Sequence, residues 1–302
     1  MASENEHLLD NALYVVATPI GNLGDITLRA IDTLKSASVI AAEDTRVSRI
    51  LLNHLGIKTR VIAVHEHNER NAADGIVNLL QQGQSVAMVT DAGTPAVSDP
   101  GALVVNAVRV AGFKVIPIPG ASAVIAAISA SGEGEHGFTF AGFLPSGASD
   151  RKRVLEGWKS CSHALVFYET PHRIVDMVAA LLETFGEERE IILAREITKK
   201  FENIHRAKLR DASAWLQSDA NNIRGEFVVI LANTSTGAPL ETKVAQAQAL
   251  ERTLSILCAE LPLKQAVALA VKLTGEKKNK IYDLALLLKE AAGTRGYNLS
   301  DE

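Results

Sequence analysis

The chain has 302 residues, of which 47% are hydrophobic and 22% charged, and its formal net charge is −4. This composition predicts a soluble protein with substantial cores and no overall attraction to nucleic acids or anionic membranes. The two cysteines, Cys161 and Cys258, suit neither a disulfide framework nor a metal-ligand spacing. We therefore expect a cytoplasmic protein without a bound metal, an export signal or a membrane-spanning segment.

From residue 13 to residue 131, strand-like apolar runs alternate with amphipathic helical patterns. The strand-like runs are LYVVAT, SVIAAE, RVIAVHE, SVAMVT and KVIPIP. This alternation is typical of a mostly parallel sheet covered by helices. It predicts an N-terminal α/β domain over residues 13–132, and the polar residues 1–12 before it are expected to be a disordered extension.

The pattern changes after the glycine-rich segment GEGEHG. Strand-like runs then follow one another, FTFAGFLP, HALVFYET, REIILAREIT, IHRAKLR and GEFVVILAN, with only two clear helical patterns between them. This predicts a second, α+β domain over residues 133–234 with mixed or antiparallel pairing. Residues 235–302 are expected to form a helical module in which two helices flank Thr274-Gly275, as in a helix-turn-helix.

Three predicted strands end in loops of glycine, proline and small hydroxyl residues, at residues 19–25, 91–95 and 120–123. Ligands of open α/β sheets bind at the carboxyl ends of the strands, so these loops indicate a small-molecule site, unless they are only tight turns. The sequence has no dinucleotide fingerprint after its first strand and no Walker or G-x-S-x-G motif. Nicotinamide, nucleoside triphosphate and covalent hydrolase chemistry are therefore disfavoured.

Charged residues stand at the ends of the first two strands, at Asp25 and in the segment AEDTR of residues 42–46. Buried carboxylates are costly unless they are paired or used in chemistry. The simpler interpretation of Asp25 is a helix cap, and that of Asp44 is an N-cap with a local salt bridge. His65 and His67 are not accompanied by a further metal-ligand motif, so they do not predict a metal site.

Eight segments, taken in order, resemble the tetrapyrrole methylase superfamily, the class III S-adenosylmethionine-dependent methyltransferases. They are ATPIGNLGDITLRA, AEDTR, TDAGTPAVSDPG, PGASA, FAGFLP, YETPHR, AREITKKFE and GEFVVIL. The resemblance covers about residues 13–233 and implies that S-adenosylmethionine is bound between the two domains. By residue matching, the residues implied to hold this cofactor are Pro19, Gly21, Asp91, Gly93, Thr94, Ser122, Ala123 and Tyr168.

Within this superfamily, AEDTR, SDPG and YETPHR resemble the members that methylate a cytidine 2′-hydroxyl in the decoding centre of 16S ribosomal RNA, which tunes translational fidelity. The resemblance implies a homodimer that acts on 16S rRNA or the small ribosomal subunit. The first loop and the segment TDAG differ from the richer glycine pattern and the G-D-P of porphyrin-acting members. A tetrapyrrole methylase and a non-catalytic, RNA-binding ribosome-assembly factor remain the alternatives.

Methyl transfer to a hydroxyl benefits from a carboxylate that accepts the proton. Our first hypothesis for this role is Asp44 and our second is Asp25, with Arg46 orienting Asp44 or an RNA phosphate. Residues 261–290 contain six lysines and three acidic residues, which favours phosphate contacts, although a solvated helix face is the simpler interpretation without the resemblance. The residues predicted to contact RNA are Arg46, Arg173, Lys199, Lys264, Lys277, Lys278 and Lys280.

Overall fold

The computed structural model describes residues 11–65, 67–233 and 240–294. Contacts divide the chain into two compact units, Met1–Asn233 and Thr234–Glu302. The first unit contains two five-stranded sheets, and the second is helical in its described residues.

The first sheet is parallel throughout, and its strands lie in the order β3-β2-β4-β1-β5. Its strands are β1 Leu13–Val16, β2 Val39–Ala42, β3 Arg60–Ala63, β4 Val86–Val89 and β5 Val115–Ile118. Each strand falls within one of the predicted apolar runs, so the predicted parallel α/β architecture is confirmed.

Helices cover both faces of the first sheet because successive strand residues point to opposite sides. Tyr14 and Val16 pack on the face covered by α1 (Leu28–Ser36) and α2 (Thr45–His54). Leu13 packs on the other face, against α3 (Glu69–Gln81) and α4 (Ala102–Val110). Both faces are therefore buried, and the polar chemistry of this sheet is confined to the loops at its edges.

The second sheet has the order β6-β7-β10-β8-β9, with β6 parallel to β7 and the other pairs antiparallel. The predicted mixed pairing is confirmed. Its strands are β6 Phe138–Phe143, β7 Ala164–Glu169, β8 Glu190–Arg195, β9 Asn203–Lys208 and β10 Phe227–Leu231. Phe167 is fully buried on the face covered by helices, whereas Val166 packs on the opposite face against α5 (Ala123–Ser131).

Three helices lie among the strands of the second sheet, where the sequence patterns predicted only two. They are α6 (Ala148–Gly157), α7 (Ile174–Phe185) and α8 (Leu209–Ser218). The ten residues ASDRKRVLEG of α6 have only two buried side chains, Arg151 and Leu155. A helix with so small an apolar face gives little periodic signal in the sequence.

The described residues of the second unit form a bundle of three helices, α9 (Leu240–Glu260), α10 (Leu263–Thr274) and α11 (Lys278–Thr294). Gly275 follows α10 in the left-handed conformation with a φ of 69°, which glycine adopts at little cost. The predicted pair of helices around this glycine is confirmed. The bundle core is formed by Leu250, Leu254, Val267, Ala270, Ile281 and Ala285.

Two further predicted boundaries concern the N-terminal extension and the division of the first unit into two domains. Residues 1–10 of the predicted disordered extension lie outside the described residues, and Ala12 is buried, so any extension stops before it. The predicted division at residues 132/133 falls inside the first unit and stays a prediction. Among the described helices, none is both long and apolar enough to span a membrane.

Candidate functional site

The loops after β1, β4 and β5 meet at one edge of the first sheet. The backbone groups of Thr18 and Gly93 bond each other in both directions, with N···O distances of 2.9 and 3.0 Å. Thr94 Oγ1 donates to the carbonyl of Ala121 at 3.1 Å, which joins the β4 loop to the β5 loop. Gly93 has a φ of 83°, so the absence of a side chain allows this turn. The predicted convergence of the three loops is therefore observed.

A cavity of about 210 Å³ opens between these loops and the second sheet. The first sheet contributes residues of the β1, β4 and β5 loops. The second contributes residues at or after the ends of β6, β7 and β8 and at the start of β10. Six predicted site residues line it, namely Gly93, Thr94, Ser122, Ala123, Tyr168 and Lys199. Thus five of the eight residues assigned to the cofactor share one cavity.

Aromatic side chains form part of the wall that the second sheet provides. The Tyr168 ring lies edge-on to Phe140, with centroids 4.9 Å apart, and at a tilt to Phe143 at 5.6 Å. Phe143 lines the cavity and is 49% exposed, so a planar ligand group can still contact its ring. Burial, together with the nearby charge of Asp99, raises the pKa of the Tyr168 hydroxyl and keeps it neutral.

Backbone strain is concentrated in two loops of this cavity. Among the described residues, five that are not glycine have a positive φ. Ala96 and Ser98, both at 64°, lie in the β4 loop, and Glu196 and Thr198, at 51° and 66°, lie in the loop after β8. Each such residue costs on the order of 1–3 kcal/mol, and strain of this kind clusters at binding sites. The surrounding structure must therefore hold both loops in these conformations.

Three carboxylates contribute to the cavity wall, and their electrostatic surroundings differ. Glu169 forms an ion pair with Arg173 at 3.2 Å, and Glu226 pairs with Lys199 at 2.8 Å. No ion pair to Asp99 is found within the described parts of the chain. Burial, and then the negative charge of Glu43, raises the pKa of Asp99 to about 6, although a hydrogen bond from Thr90 opposes this.

Asp44 and Asp91 lie side by side at the ends of β2 and β4. The Asp91 carboxylate accepts a hydrogen bond from the Asp44 backbone N–H at 3.1 Å, and burial raises the pKa of Asp91. Asp44 caps α2 through the Arg46 N–H at 2.8 Å and forms an ion pair with the Arg46 guanidinium at 2.6 Å. Hydrogen bonds from Arg46 lower the pKa of Asp44 to about 2. The structure thus places Asp44 in the simpler role that the sequence also allowed.

The remaining predicted residues of the first loop lie beside the cavity lining. Asp25 ends a one-turn 3-10 helix, Leu23–Asp25, and Thr27 rather than Asp25 caps α1 by accepting from the Ala30 N–H at 3.1 Å. Pro19 and Gly21 are adjacent to Ile20, which does line the cavity. A side chain at Gly21 would meet Lys199 Cγ at 2.4 Å, so glycine permits the close approach of the loop after β8.

The residues predicted to contact RNA fall into two groups. Arg173 donates to the Leu144 carbonyl and pairs with Glu169, and Lys199 bridges Glu196 and Glu226, so both already have internal partners. Burial lowers the pKa of Lys199, but its bonds to the two carboxylates more than offset this and the net shift is upward. Arg46 and the four tail lysines, by contrast, are exposed; these lysines are Lys264, Lys277, Lys278 and Lys280.

Several cavity residues escaped the sequence analysis. Asp99 stands in the SDPG segment and Glu169 in YETPHR, but neither residue has a predicted role. Glu226 is the second residue of the GEFVVIL run. A signal was present for Asp99, because an acidic residue between proline- and glycine-rich turns at a strand end is a typical site residue. Its burial against the second sheet, however, is visible only in three dimensions.

The cavity is suited to S-adenosylmethionine, the group implied by the family resemblance. Its carboxylates favour a positively charged sulfonium and an ammonium group, and its apolar side chains suit the adenosine portion. Within the described residues, Glu169 Oε2 and Thr170 Oγ1 are buried without a hydrogen-bond partner, and both residues line the cavity. Buried polar atoms normally have partners, so a ligand with hydrogen-bond donors would complete this wall.

Metal chemistry has no comparable support in the residues present. The part of the chain that the structure describes contains no group of three or more His, Cys, Asp and Glu residues that could hold a metal ion.

Comparison with known proteins identifies the family. Residues 12–213 match the family described as Tetrapyrrole (Corrin/Porphyrin) Methylases, and residues 244–289 match the RsmI C-terminal HTH domain. The chain is 47% identical over 285 residues to ribosomal RNA small subunit methyltransferase I of Neisseria meningitidis serogroup B, covering 94% of this chain and 96% of that protein. It is 44% identical over 274 residues to the protein of that name from Escherichia coli O157:H7, covering 91% and 94%.

A solved structure of the methyltransferase CobJ has the same fold, with a TM-score of 0.57 and 21% identity, over 74% of this chain and 95% of that chain. The family match covers two thirds of the chain, and the two relatives extend the similarity over more than nine tenths of it. The chain therefore belongs to the tetrapyrrole methylase family and is an S-adenosylmethionine-dependent methyltransferase.

Proposed function

We propose that this enzyme methylates the ribose 2′-hydroxyl of a cytidine in the decoding centre of 16S rRNA, using S-adenosylmethionine as methyl donor. The observation that carries the proposal is the similarity to relatives named ribosomal RNA small subunit methyltransferase I, which extends through both units of the chain. The match of residues 244–289 to the C-terminal domain of the same group supports it. This modification would tune the fidelity of translation.

The cofactor is proposed to be held by the loops of the first sheet and by Tyr168. The residues assigned to it are Pro19, Gly21, Asp91, Gly93, Thr94, Ser122, Ala123 and Tyr168. S-adenosylmethionine supplies an electrophilic methyl group on a positively charged sulfur. The chain contributes by orienting the hydroxyl in line with that group at about 3–3.5 Å, which can supply much of the acceleration. It also contributes a carboxylate as proton acceptor, for which the sequence suggested Asp44 and Asp25.

The tail lysines are proposed to contact RNA phosphates. Lys277 precedes α11, and Lys278 and Lys280 lie in its first turn. Positive charges at a helix N-terminus oppose the helix dipole, so they do not stabilise α11. Backbone N–H groups and ammonium groups together favour an anion at that position. Lys280 pairs with Glu276 at 2.7 Å in an exposed contact, which a phosphate can displace at little cost.

The RNA contacts of the first unit are proposed for Arg46, Arg173 and Lys199. Arg46 is the most accessible of them, with a side chain that is 88% exposed although it pairs with Asp44. An RNA phosphate near Arg46 would compete with the Asp44 carboxylate for the guanidinium. We further propose that the enzyme is a cytoplasmic homodimer.

The proposal is tested with purified small ribosomal subunits and protein-free 16S rRNA as acceptors, with tritiated S-adenosylmethionine as donor. We expect tritium in the RNA at one cytidine. A 2′-O-methyl group blocks alkaline cleavage of the adjacent phosphodiester, so partial alkaline hydrolysis should leave one gap in the ladder at that cytidine. Methylation of a base instead would leave the ladder complete and refute the ribose assignment.

The two alternatives predict other results in the same assay. A tetrapyrrole methylase would transfer the methyl group to a porphyrinogen and leave RNA unlabelled. A non-catalytic assembly factor would bind small subunits without transferring label to either acceptor. Comparing free 16S rRNA with assembled subunits also identifies which of them is the substrate.

A further inference from the structure

We propose that Asp99 is a catalytic residue, whose carboxylate accepts the proton of the attacking ribose hydroxyl. The inference rests on the proposed function, because it assigns a proton acceptor to a hydroxyl substrate. Neither sequence-based candidate for this role lines the cavity, whereas Asp99 does.

The position of Asp99 is the first argument. Asp99 is partly buried and lines the same cavity as Gly93 and Thr94, which precede it in the β4 loop, and Tyr168 of β7. Its charge also acts on the Tyr168 hydroxyl, which places the two side chains near each other. The carboxylate is therefore on the wall at which both sheets meet, where the cofactor and acceptor must come together.

The pairing of the wall carboxylates is the second argument. Glu169 and Glu226 have cationic partners, whereas no such partner of Asp99 is found in the described residues. Asp44 likewise has Arg46. A cation beside a carboxylate stabilises its ionised form and makes it a weaker proton acceptor. Asp99 is thus the wall carboxylate best able to take up a proton.

The groups around Asp99 strengthen this property. Glu43 at the end of β2 and Asp91 in the β4 loop act on it with negative charge, Tyr168 faces it as a neutral phenol, and the Thr90 hydroxyl is its polar neighbour. The Thr90 hydroxyl donates to Glu43 at 2.5 Å. The hydroxyl lies by both Glu43 and Asp99, so it can occupy at most one oxygen of the Asp99 carboxylate, and the other stays free to accept a proton.

Burial and these charges give Asp99 a pKa of about 6, against about 2 for Asp44. At neutral pH a group with a pKa near 6 is largely ionised and still basic enough to assist proton removal. The backbone fixes its position, because Asp99 follows Ala96 and Ser98 at φ 64° and precedes Gly101 at φ 130°. Such a conformation persists only where its surroundings enforce it.

The proposed step balances in atoms and electrons. A lone pair of the 2′-oxygen forms the new C–O bond as the bond between the methyl carbon and sulfur breaks, and the electrons of that bond stay on sulfur. The proton of the hydroxyl passes to the Asp99 carboxylate, which then releases it to solvent. The products are the 2′-O-methyl ribose, a neutral thioether and a proton.

The test measures methyl transfer in a single turnover on small ribosomal subunits from pH 5 to pH 9, for wild type, Asp99→Asn and Asp99→Glu. Asp32→Asn is the matched control, since Asp32 is an exposed carboxylate of α1 outside the cavity lining. Binding of S-adenosylhomocysteine is measured by calorimetry as a second readout. Asp99→Asn removes a partly buried charge, so it should not lower the stability of the fold. If Asp99→Asn is nevertheless unstable, Asp99→Glu still tests the role of the carboxylate.

We expect the wild-type rate to rise with pH through a transition near pH 6 and then level off. Asp99→Asn should lower the rate by about 10²- to 10⁴-fold and abolish the transition, while S-adenosylhomocysteine affinity stays within about threefold. Asp99→Glu should recover part of the rate, and Asp32→Asn should match wild type.

Three results would overturn the inference. The first is an Asp99→Asn enzyme with near wild-type turnover. The second is a loss of turnover matched by an equal loss of S-adenosylhomocysteine affinity, which would make Asp99 a binding residue only. The third is removal of the pH transition by Asp44→Asn instead. If the wild-type enzyme transfers no methyl group to RNA, both the proposed function and the inference fail. If the wild-type enzyme and Asp99→Asn are both active, only the inference fails.

Discussion

Glu69 is predicted to hold the β4 loop in place by capping α4 from a different helix. Its Oε1 atom accepts hydrogen bonds from the backbone N–H groups of Gly101 at 2.8 Å and Leu103 at 2.9 Å. The N-cap of α4 is Gly101 itself, which has no side chain to offer. Glu69 therefore supplies both the capping oxygen and the negative charge that a helix N-terminus favours.

Replacing Glu69 by alanine should cost about 1–2 kcal/mol in the local stability of α4, the amount typical of a lost cap. Replacement by glutamine keeps an acceptor and loses only the charge, so it should cost about 0.3–1 kcal/mol. Glu135 is an exposed residue of the 132–137 turn, and Glu135→Ala is the control.

Hydrogen exchange of the Gly101 and Leu103 amides is the direct assay. It measures the local opening of α4, whereas unfolding of the whole protein would combine the contributions of several hydrophobic cores. A cost of 1–2 kcal/mol corresponds to about 5- to 30-fold faster exchange in Glu69→Ala. The loosened β4 loop should also weaken S-adenosylhomocysteine binding by roughly fivefold, since the ligand must then order it. Exchange rates of both amides within twofold of wild type would show that Glu69 does not cap α4.

Three further outcomes follow from the same structure. Gly225 has a φ of 85°, and a Cβ at this position would meet Glu196 Cγ at 2.4 Å. Gly137 has a similar φ of 78°, but a Cβ there would meet no atom within 4 Å. Gly225→Ala should therefore lower the free energy of unfolding by at least about 1 kcal/mol more than Gly137→Ala, and equal melting temperatures of the two variants would contradict this. Hydrogen bonds from Arg46 lower the pKa of Asp44 from 3.8 to about 2, so the stabilisation that the ionised Asp44 contributes is present above pH 4 and is lost as the pH falls towards 2. The melting-temperature difference between wild type and Asp44→Asn should shrink over that interval, and a constant difference would refute it. Changing the four tail lysines to glutamine should reduce the slope of log affinity for RNA against log salt by about 3–4, whereas calorimetry should show unchanged cofactor binding. An unchanged slope would exclude phosphate contacts there.

The sequence predicted what depends on local pattern. Apolar runs bounded by turns predicted the strands, and the residues 91–95 and 120–123 predicted two of the loops that meet at the cavity. What it missed depends on contacts between distant segments. Asp99 is partly buried because residues of the second sheet close over its loop, and Lys199 is neutralised by Glu226, which lies 27 positions further along the chain. Pairing of this kind decides whether a charge can contact a substrate, and residue type alone does not indicate it.

The cavity and the residues proposed to bind RNA have opposite electrostatic requirements. The cavity wall has three carboxylates and one lysine, and that lysine is bonded to two carboxylates, Glu196 and Glu226. Such a wall favours a sulfonium cation and disfavours an RNA phosphate. Of the residues proposed to contact RNA, the exposed Arg46 lies away from the wall, whereas Lys199 is part of the wall and is already bonded to Glu196 and Glu226. Under the proposed function, the nucleotide enters with its uncharged ribose first. Asp99 has no ion-pair partner among the described residues and can then accept the hydroxyl proton directly.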